Sequence, residues 1–193
     1  MNTTATNLRS IVPWIAGLLI LSGSVWWFFS GATGEAERLA QELRSEDSNV
    51  RYSAAKDLSE LGYSAASVAD ALGTALHDPD EKVRYRVAKA LSKIGRRASA
   101  VVDDLAFGLA DSNEDTRYYI AKALNHIGPE AAAAVEALAA ALDDPNPEVR
   151  FYAVKTLRDL GAEAQPAATQ LKKAADDKVQ KVRDEARLAL QKL

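Results

Sequence analysis

Cysteine is absent from this 193-residue chain, which excludes disulfide staples, zinc knuckles, a thiol nucleophile and lipid attachment through sulfur. A chain without cysteine suits a reducing or an oxidising compartment equally, so the absence leaves location open. Histidine is nearly missing as well. His77 and His126 are the two present, one in a turn and one on a polar helix face at the place held elsewhere by Lys93 and Asp159. With no cysteine and no His-Glu pair, the residues for a metal centre are lacking. No serine stands in a nucleophile motif with a histidine and an acid. The segment Gly31-Ala32-Thr33-Gly34 lacks the lysine and spacing of a phosphate loop. Excess charge is missing too: 24 Lys+Arg against 27 Asp+Glu give a formal net charge of -3, which argues against a generic polyanion binder. These absences predict no enzyme, no cofactor and no small-molecule substrate.

In their place the chain carries a beat. Arginine recurs at Arg51, Arg84, Arg117, Arg150 and Arg183, each 33 residues from the last. Leucine keeps the interval at Leu58, Leu91, Leu124, Leu157 and Leu190, and glycine at Gly62, Gly95, Gly128 and Gly161. A fixed period held without an insertion means one supersecondary unit stacked several times, with no single central cleft. Such a stack offers a surface, so binding is the expected function.

The unit from Ala65 to Gly95 shows how the stack is built. Ala65, Val68, Leu72 and Leu76 recur at three- and four-residue spacing, which predicts a first helix with a narrow apolar stripe. His77-Asp78-Pro79-Asp80 breaks it, because proline does not continue a helix and aspartate suits the next N-cap. Val83, Val87, Leu91 and Ile94 form the stripe of a second helix, which Gly95 ends. Neither helix buries its stripe alone; paired and stacked, the stripes make one continuous core. A last unit, Leu171 to Leu193, has Asp184 in place of an aromatic and Arg187 in place of Ala or Val, so it reads as a polar cap.

At these residues a family resemblance becomes specific. Asp78-Pro79 with Val83-Arg84, Ala88, Leu91 and Ile94-Gly95 returns as Asp144-Pro145 with Val149-Arg150, Val154, Leu157 and Leu160-Gly161. The string resembles the short HEAT-like repeats of the phycobilisome-lyase type, over essentially everything beyond the linker. The Thr-Pro-Leu-His signature of ankyrin repeats and the Trp, Tyr and Pro marks of tetratricopeptide repeats are missing. The resemblance implies an all-α fold, a right-handed α-solenoid of HEAT-like helical hairpins. A single transmembrane helix is expected to precede it on separate grounds, the uncharged run from Ile11 to Phe29. The resemblance also implies that each ladder arginine pairs with the aspartate of the preceding turn, since Asp78, Asp111, Asp144 and Asp177 keep the same 33-residue beat. Some relatives of this type serve bilin lyases. A non-catalytic accessory subunit of a chromophore-attaching or other protein-modifying enzyme is therefore the alternative function.

The run from Ile11 to Phe29 holds no charge across 19 residues, and as a helix it spans roughly 28 Å, near the hydrocarbon thickness of a bilayer. Trp14 near one end and Trp26 and Trp27 near the other stand where indole rings favour the lipid–water boundary. The expected division is a leader over 1–10, an anchor (or signal sequence) over 11–29, a linker over 30–34 and repeats over 35–193. A cleaved signal with Ser30-Gly31-Ala32 at its site is the rival reading; the neighbouring cluster from Trp26 to Phe29 disfavours cleavage. Arg9 before the span, against Arg38 and Arg44 mixed with Glu35, Glu37 and Glu42 after it, favours a leader inside. The expectation is a single-pass protein of the cell membrane with its repeats outside the cytoplasm.

Candidate binding residues come from the second helices. Tyr52, Tyr85, Tyr118 and Phe151 each follow a ladder arginine, and Lys56, Lys89, Lys122 and Lys155 come four residues later. At 100° per residue Tyr85 and Lys89 lie roughly 200° and 240° from Val83, so these pairs are expected to face away from the core. Tyr119 and Tyr152 broaden the row, which then holds five of the six tyrosines. Second helices of HEAT-like units usually line the concave side, so the row is expected to take a protein partner there. Support of the stack alone, each ring lying on its lysine stem or the next unit, is the rival reading. Nucleic acid fits poorly: taking Arg9 from the 24 basic residues leaves 23 beyond the linker against 27 acidic.

Overall fold

The computed structural model describes residues 34–193. The proposed anchor, its leader and linker residues 30–33 lie outside the described residues, and among those that are described no helix is long and apolar enough to cross a membrane.

Every regular element described is helical. A first helix, α1, covers residues 34–42. Then come α2 (Ser48–Leu61), α3 (Ala69–Ala75), α4 (Glu81–Ile94), α5 (Val102–Gly108) and α6 (Glu114–Ile127). They are followed by α7 (Val135–Ala140), α8 (Pro147–Leu160), α9 (Ala168–Ala174) and α10 (Gln180–Leu190). The even-numbered helices from α2 to α10 are the second helices of successive units, and each packs on the next in series. Their starts follow from local chemistry. Asp47, Asp80, Asn113 and Asn146 adopt extended backbone and accept a hydrogen bond from a backbone N–H of the first turn, which satisfies a donor the helix itself leaves free. Their ends follow from Gly62, Gly95, Gly128 and Gly161, all at positive φ between 54° and 82°, a region that costs other residues energy.

The first helix of each unit is not the single α-helix that its stripe predicts. It opens as a 3₁₀ segment (Gly62–Val68, Gly95–Val101, Gly128–Ala134 and Gly161–Ala167) and turns α for the next six or seven residues, with a second 3₁₀ turn, Ala141–Asp143, closing it after α7. A 3₁₀ helix eclipses side chains three apart, and the buried residues obey that interval: Gly62, Ala65 and Val68 in one unit, Ala98 and Val101 in the next. The three-residue step was present in the stripe, but spacing of three also fits an α-helix, so the pattern does not discriminate.

One buried apolar cluster runs from Ala36 in α1 to Ala189 in α10. Leu58, Leu91, Leu124 and Leu157 are wholly buried, as are Ala65, Ala98, Ala131 and Ala164. The small side chains at the second set let the 3₁₀ segments approach the second helices closely. At the far end Asp184 and Arg187 of α10 are exposed, in agreement with a polar cap.

Candidate functional site

Two ladders of side chains run along the second helices, and they do different things. The first is ionic. Arg51 donates through Nε and Nη2 to both oxygens of Asp78, at 2.6 and 3.0 Å. Arg84 does so to Asp111 at 2.5 and 3.3 Å, Arg117 to Asp144 at 2.6 and 3.2 Å, and Arg150 to Asp177 at 2.7 and 3.0 Å. Each partner lies 27 residues downstream, in the turn of the following unit. This corrects the pairing that the resemblance implied. What the arginine takes from the aspartate six residues before it is the backbone carbonyl: Arg84 Nη1 donates to the Asp78 oxygen at 2.8 Å, and Arg117 and Arg150 repeat the bond. The reason is geometric. Each aspartate Oδ1 is already turned back to accept from the backbone N–H two residues on, so its carboxylate faces the preceding unit and its carbonyl faces its own arginine.

Every inner aspartate is thus gripped by two arginines from two units. The bidentate bond to Asp78, Asp111 and Asp144 raises the pKa of Arg51, Arg84 and Arg117 respectively. The bond from Arg150, helped by the Val179 N–H, holds Asp177 below the usual carboxylate range. These groups are occupied with one another. The ladder fastens units; it is not a free polyanion track.

The second ladder is aromatic. Ring centroids of Tyr85 and Tyr119 lie 5.7 Å apart, Tyr119 and Tyr118 4.9 Å, Tyr118 and Tyr152 5.7 Å, and Tyr152 and Phe151 5.4 Å. All four contacts are edge-to-face, with planes at 67° to 74°, the arrangement that the ring quadrupole favours. The predicted row therefore exists as one ladder of touching rings across α4, α6 and α8. Tyr52 joins it through Arg86, whose guanidinium donates to the Tyr52 hydroxyl at 2.7 Å and lies 5.1 Å from the Tyr52 ring and 5.3 Å from that of Tyr85.

The rings do not stand clear of the protein as the angular argument predicts. All are half-buried, and Tyr52, Tyr118, Tyr119, Phe151 and Tyr152 pack against the edge of the apolar core. Burial, with Tyr85 and Tyr118 adding to it, raises the Tyr119 pKa. The angular argument places a Cβ on a single helix, whereas the neighbouring unit brings its own rings up to cover part of each one.

The lysines separate into two kinds. Lys89 lies 5.7 Å from the Tyr119 ring and Lys122 6.0 Å from that of Tyr118. Lys155 is half-exposed, and Lys56 is exposed near Glu60 at 3.9 Å. Sequence reasoning missed two further members, Arg86 and Lys181; the latter sits 4.8 Å from the Phe151 ring. Arg86 was findable, because it occupies the repeat position of Tyr119 and Tyr152. Lys181 was not, since its repeat position holds Asn49, Lys82, Asp115 and Glu148. The row ends at α10, where exposed Asp184 and Leu188 stand in place of ring and lysine.

The histidines have structural work. His126 Nδ1 donates to the Ser92 carbonyl at 2.8 Å, as Lys93 Nζ does to that of Ser59 at 2.6 Å; each ties the end of the preceding second helix. His77 pairs with Asp104 at 2.8 Å and its ring lies 4.5 Å from Phe107. On that side of the stack an open groove of about 490 Å³ lies between two units, lined by Leu109, Asp111, Arg117, Ala137, Asp144 and Pro145. Of its charged walls Asp111, Arg117 and Asp144 belong to the ionic ladder, and Asp143 pairs with Lys173.

The sequence model of the family described as HEAT repeats matches residues 36–106 and 102–191. Among solved structures the chain is similar to an engineered protein at 24% identity, covering 82% of this chain and 79% of that one with a TM-score of 0.71. It is similar to a designed armadillo repeat protein in complex with the peptide (KR)4 at 18% identity, with 79% of each chain covered and a TM-score of 0.68. A third is the complex of CpcE and CpcF of phycocyanin lyase from a Nostoc species, at 24% identity and a TM-score of 0.63, covering 82% of this chain and 64% of that one. The chain thus spans a little under two thirds of that protein's length. Likeness at these identities shows the fold and no more. No match is found among curated proteins.

Proposed function

Because the chain belongs to the HEAT-repeat family, we propose that it is a scaffold that docks a protein partner on the layer of its second helices. One observation carries this reading: a ladder of five touching aromatic rings, Tyr85 to Phe151, flanked by amines and open to solvent along one side. Rings with a polar edge, already held rigid, lose little conformational entropy when a partner covers them. Second helices of HEAT-like units usually line the concave side of the stack. On that placement the rings face inward, where one partner reaches several units at once.

The charge-free run 11–29 supports a membrane tether, and Arg9 in the leader supports repeats on the outer side of a cell membrane. A tether raises the local concentration of repeats near whatever they hold. The test places a photocrosslinking side chain at Tyr85, at Lys122 and, as a control, at Tyr63, in intact cells. Positions 85 and 122 are expected to reach the same protein while position 63 does not. Protease added outside is expected to remove the adduct. Equal capture from position 63 sinks the docking reading, and an adduct that survives protease until lysis reverses the topology.

A further inference from the structure

We infer that the segment docked on the aromatic ladder is an acidic stretch of polypeptide, its carboxylates reaching Arg86, Lys89, Lys122 and Lys155 while its apolar side chains lie on the rings. The inference rests on the docking reading above and names the chemistry of the partner.

The charges decide it. Elsewhere in the stack the four ladder arginines have acids, as do Arg96 with Glu130, Arg158 with Asp159 and Glu185, Lys173 with Asp143, and Lys181 with Glu148. Of the other described cations Arg44, Lys82, Lys93, Arg97, Lys172, Lys178, Arg183, Arg187 and Lys192 have none, so what singles out the cations of the inferred site is their place along the rings. Among the described residues Arg86, Lys89, Lys122 and Lys155 have no carboxylate in ion-pair range. Arg86, Lys89 and Lys122 are instead held beside rings. That contact fixes their position without neutralising them.

On the same helices Asp159, near the end of α8, is paired with Arg158; the other acids, Glu81, Glu114, Asp115 and Glu148, stand in the first turns. There the helix dipole accounts for them. Lys89 and Lys122 lie eight residues beyond Glu81 and Glu114, about 12 Å along the helix, where no helix end explains a cation. The surface therefore presents parallel rows: acids at the helix starts, rings, then amines. A polypeptide can set carboxylates on the amine row alone. A nucleic acid carries phosphate at every step and would also meet the acid row, which disfavours it.

The test uses the full chain in a non-ionic detergent and fluorescent twelve-residue peptides that repeat Glu-Leu-Ser, Gln-Leu-Ser or Lys-Leu-Ser. A single-stranded oligothymidylate is the fourth probe. The Glu peptide is expected to bind about tenfold tighter than the Gln peptide at low salt, the sum of a few weak exposed pairs. The triple variant Lys89→Gln, Lys122→Gln, Lys155→Gln is expected to erase that gap, keep the Gln affinity and melt like the parent. Equal Glu and Gln affinities, or preference for the Lys peptide, overturn the inference and leave the docking surface standing. The same holds if no peptide binds while crosslinks from position 85 persist. Loss of both, or tightest binding of the oligothymidylate, overturns the docking reading as well.

Discussion

Glycine illustrates how one residue type serves two physical purposes in this chain. Gly95 sits at φ +64°, and the atom that an added Cβ would approach is His126 Cβ at an ordinary 3.7 Å. Its constraint is the backbone angle. Gly73 has helical backbone, yet an added Cβ would fall 2.5 Å from a Val101 methyl and 2.7 Å from an Asp104 oxygen. Its constraint is room. Gly95→Ala is expected to cost about 1 kcal/mol through strain, and Gly73→Ala about 2 kcal/mol through overpacking beside a stiff branched side chain. Urea denaturation distinguishes them when Val101→Gly is added, which removes both the methyl and the Val101 Cβ that would lie 2.8 Å from the new carbon. That change rescues Gly73→Ala and leaves the loss at Gly95 in place.

Among elements, α10, like α2 at the other end, packs on a single second helix. No second helix follows α10 among the described residues, and its N-cap Val179 lends no side-chain bond. The turn that leads into it is tied to α8 by Arg150 on Asp177, beside the direct α8–α10 pairs Arg158–Glu185 and Glu148–Lys181. Arg150 is 5% exposed, so losing its counter-charge leaves a cation with little water around it. Asp177→Asn is expected to cost about 2 kcal/mol at neutral pH and to speed amide exchange in α10 before other helices. The sign with pH follows from the depressed carboxyl. Stability from this pair is full above the ordinary carboxylate value and is lost as pH falls through the lower folded value. Parent and variant are expected to converge there; a difference that persists in acid would mean that charge is not the cause.

For the whole molecule, register is what matters. Removing residues 95–127 takes out one 33-residue period and brings Asp144 to the place of Asp111 opposite Arg84. Because each unit touches chiefly its neighbours, stability is nearly a sum of local interfaces. This deletion is expected to keep the helical circular-dichroism spectrum and a cooperative melt, at lower midpoint. Removing 95–124 instead, three residues short of a period, is expected to abolish the cooperative melt. A folded product from the shorter cut would refute the picture of strict register. The aromatic ladder behaves as a collective as well. Its rings pack against the core edge and one another, so cutting several back to alanine loosens the stack. The partly exposed amines are therefore the cleaner place to probe binding.

The period, the two helices per unit, the caps at Asp80 and Gly95 and the polar last unit all stand in the sequence. Each depends on chemistry within one turn or on an apolar stripe that recurs along the chain. The rings and lysines of the candidate surface stand there too, because they repeat with the same interval. Tertiary structure decided which unit each arginine holds, since a carboxylate six residues away and another 27 residues away are equally available to a reader of letters. It also decided how far the rings are covered and which cations go without an acid. Those properties belong to the meeting of two units, and side chains 30 or 34 residues apart become neighbours only when the helices stack.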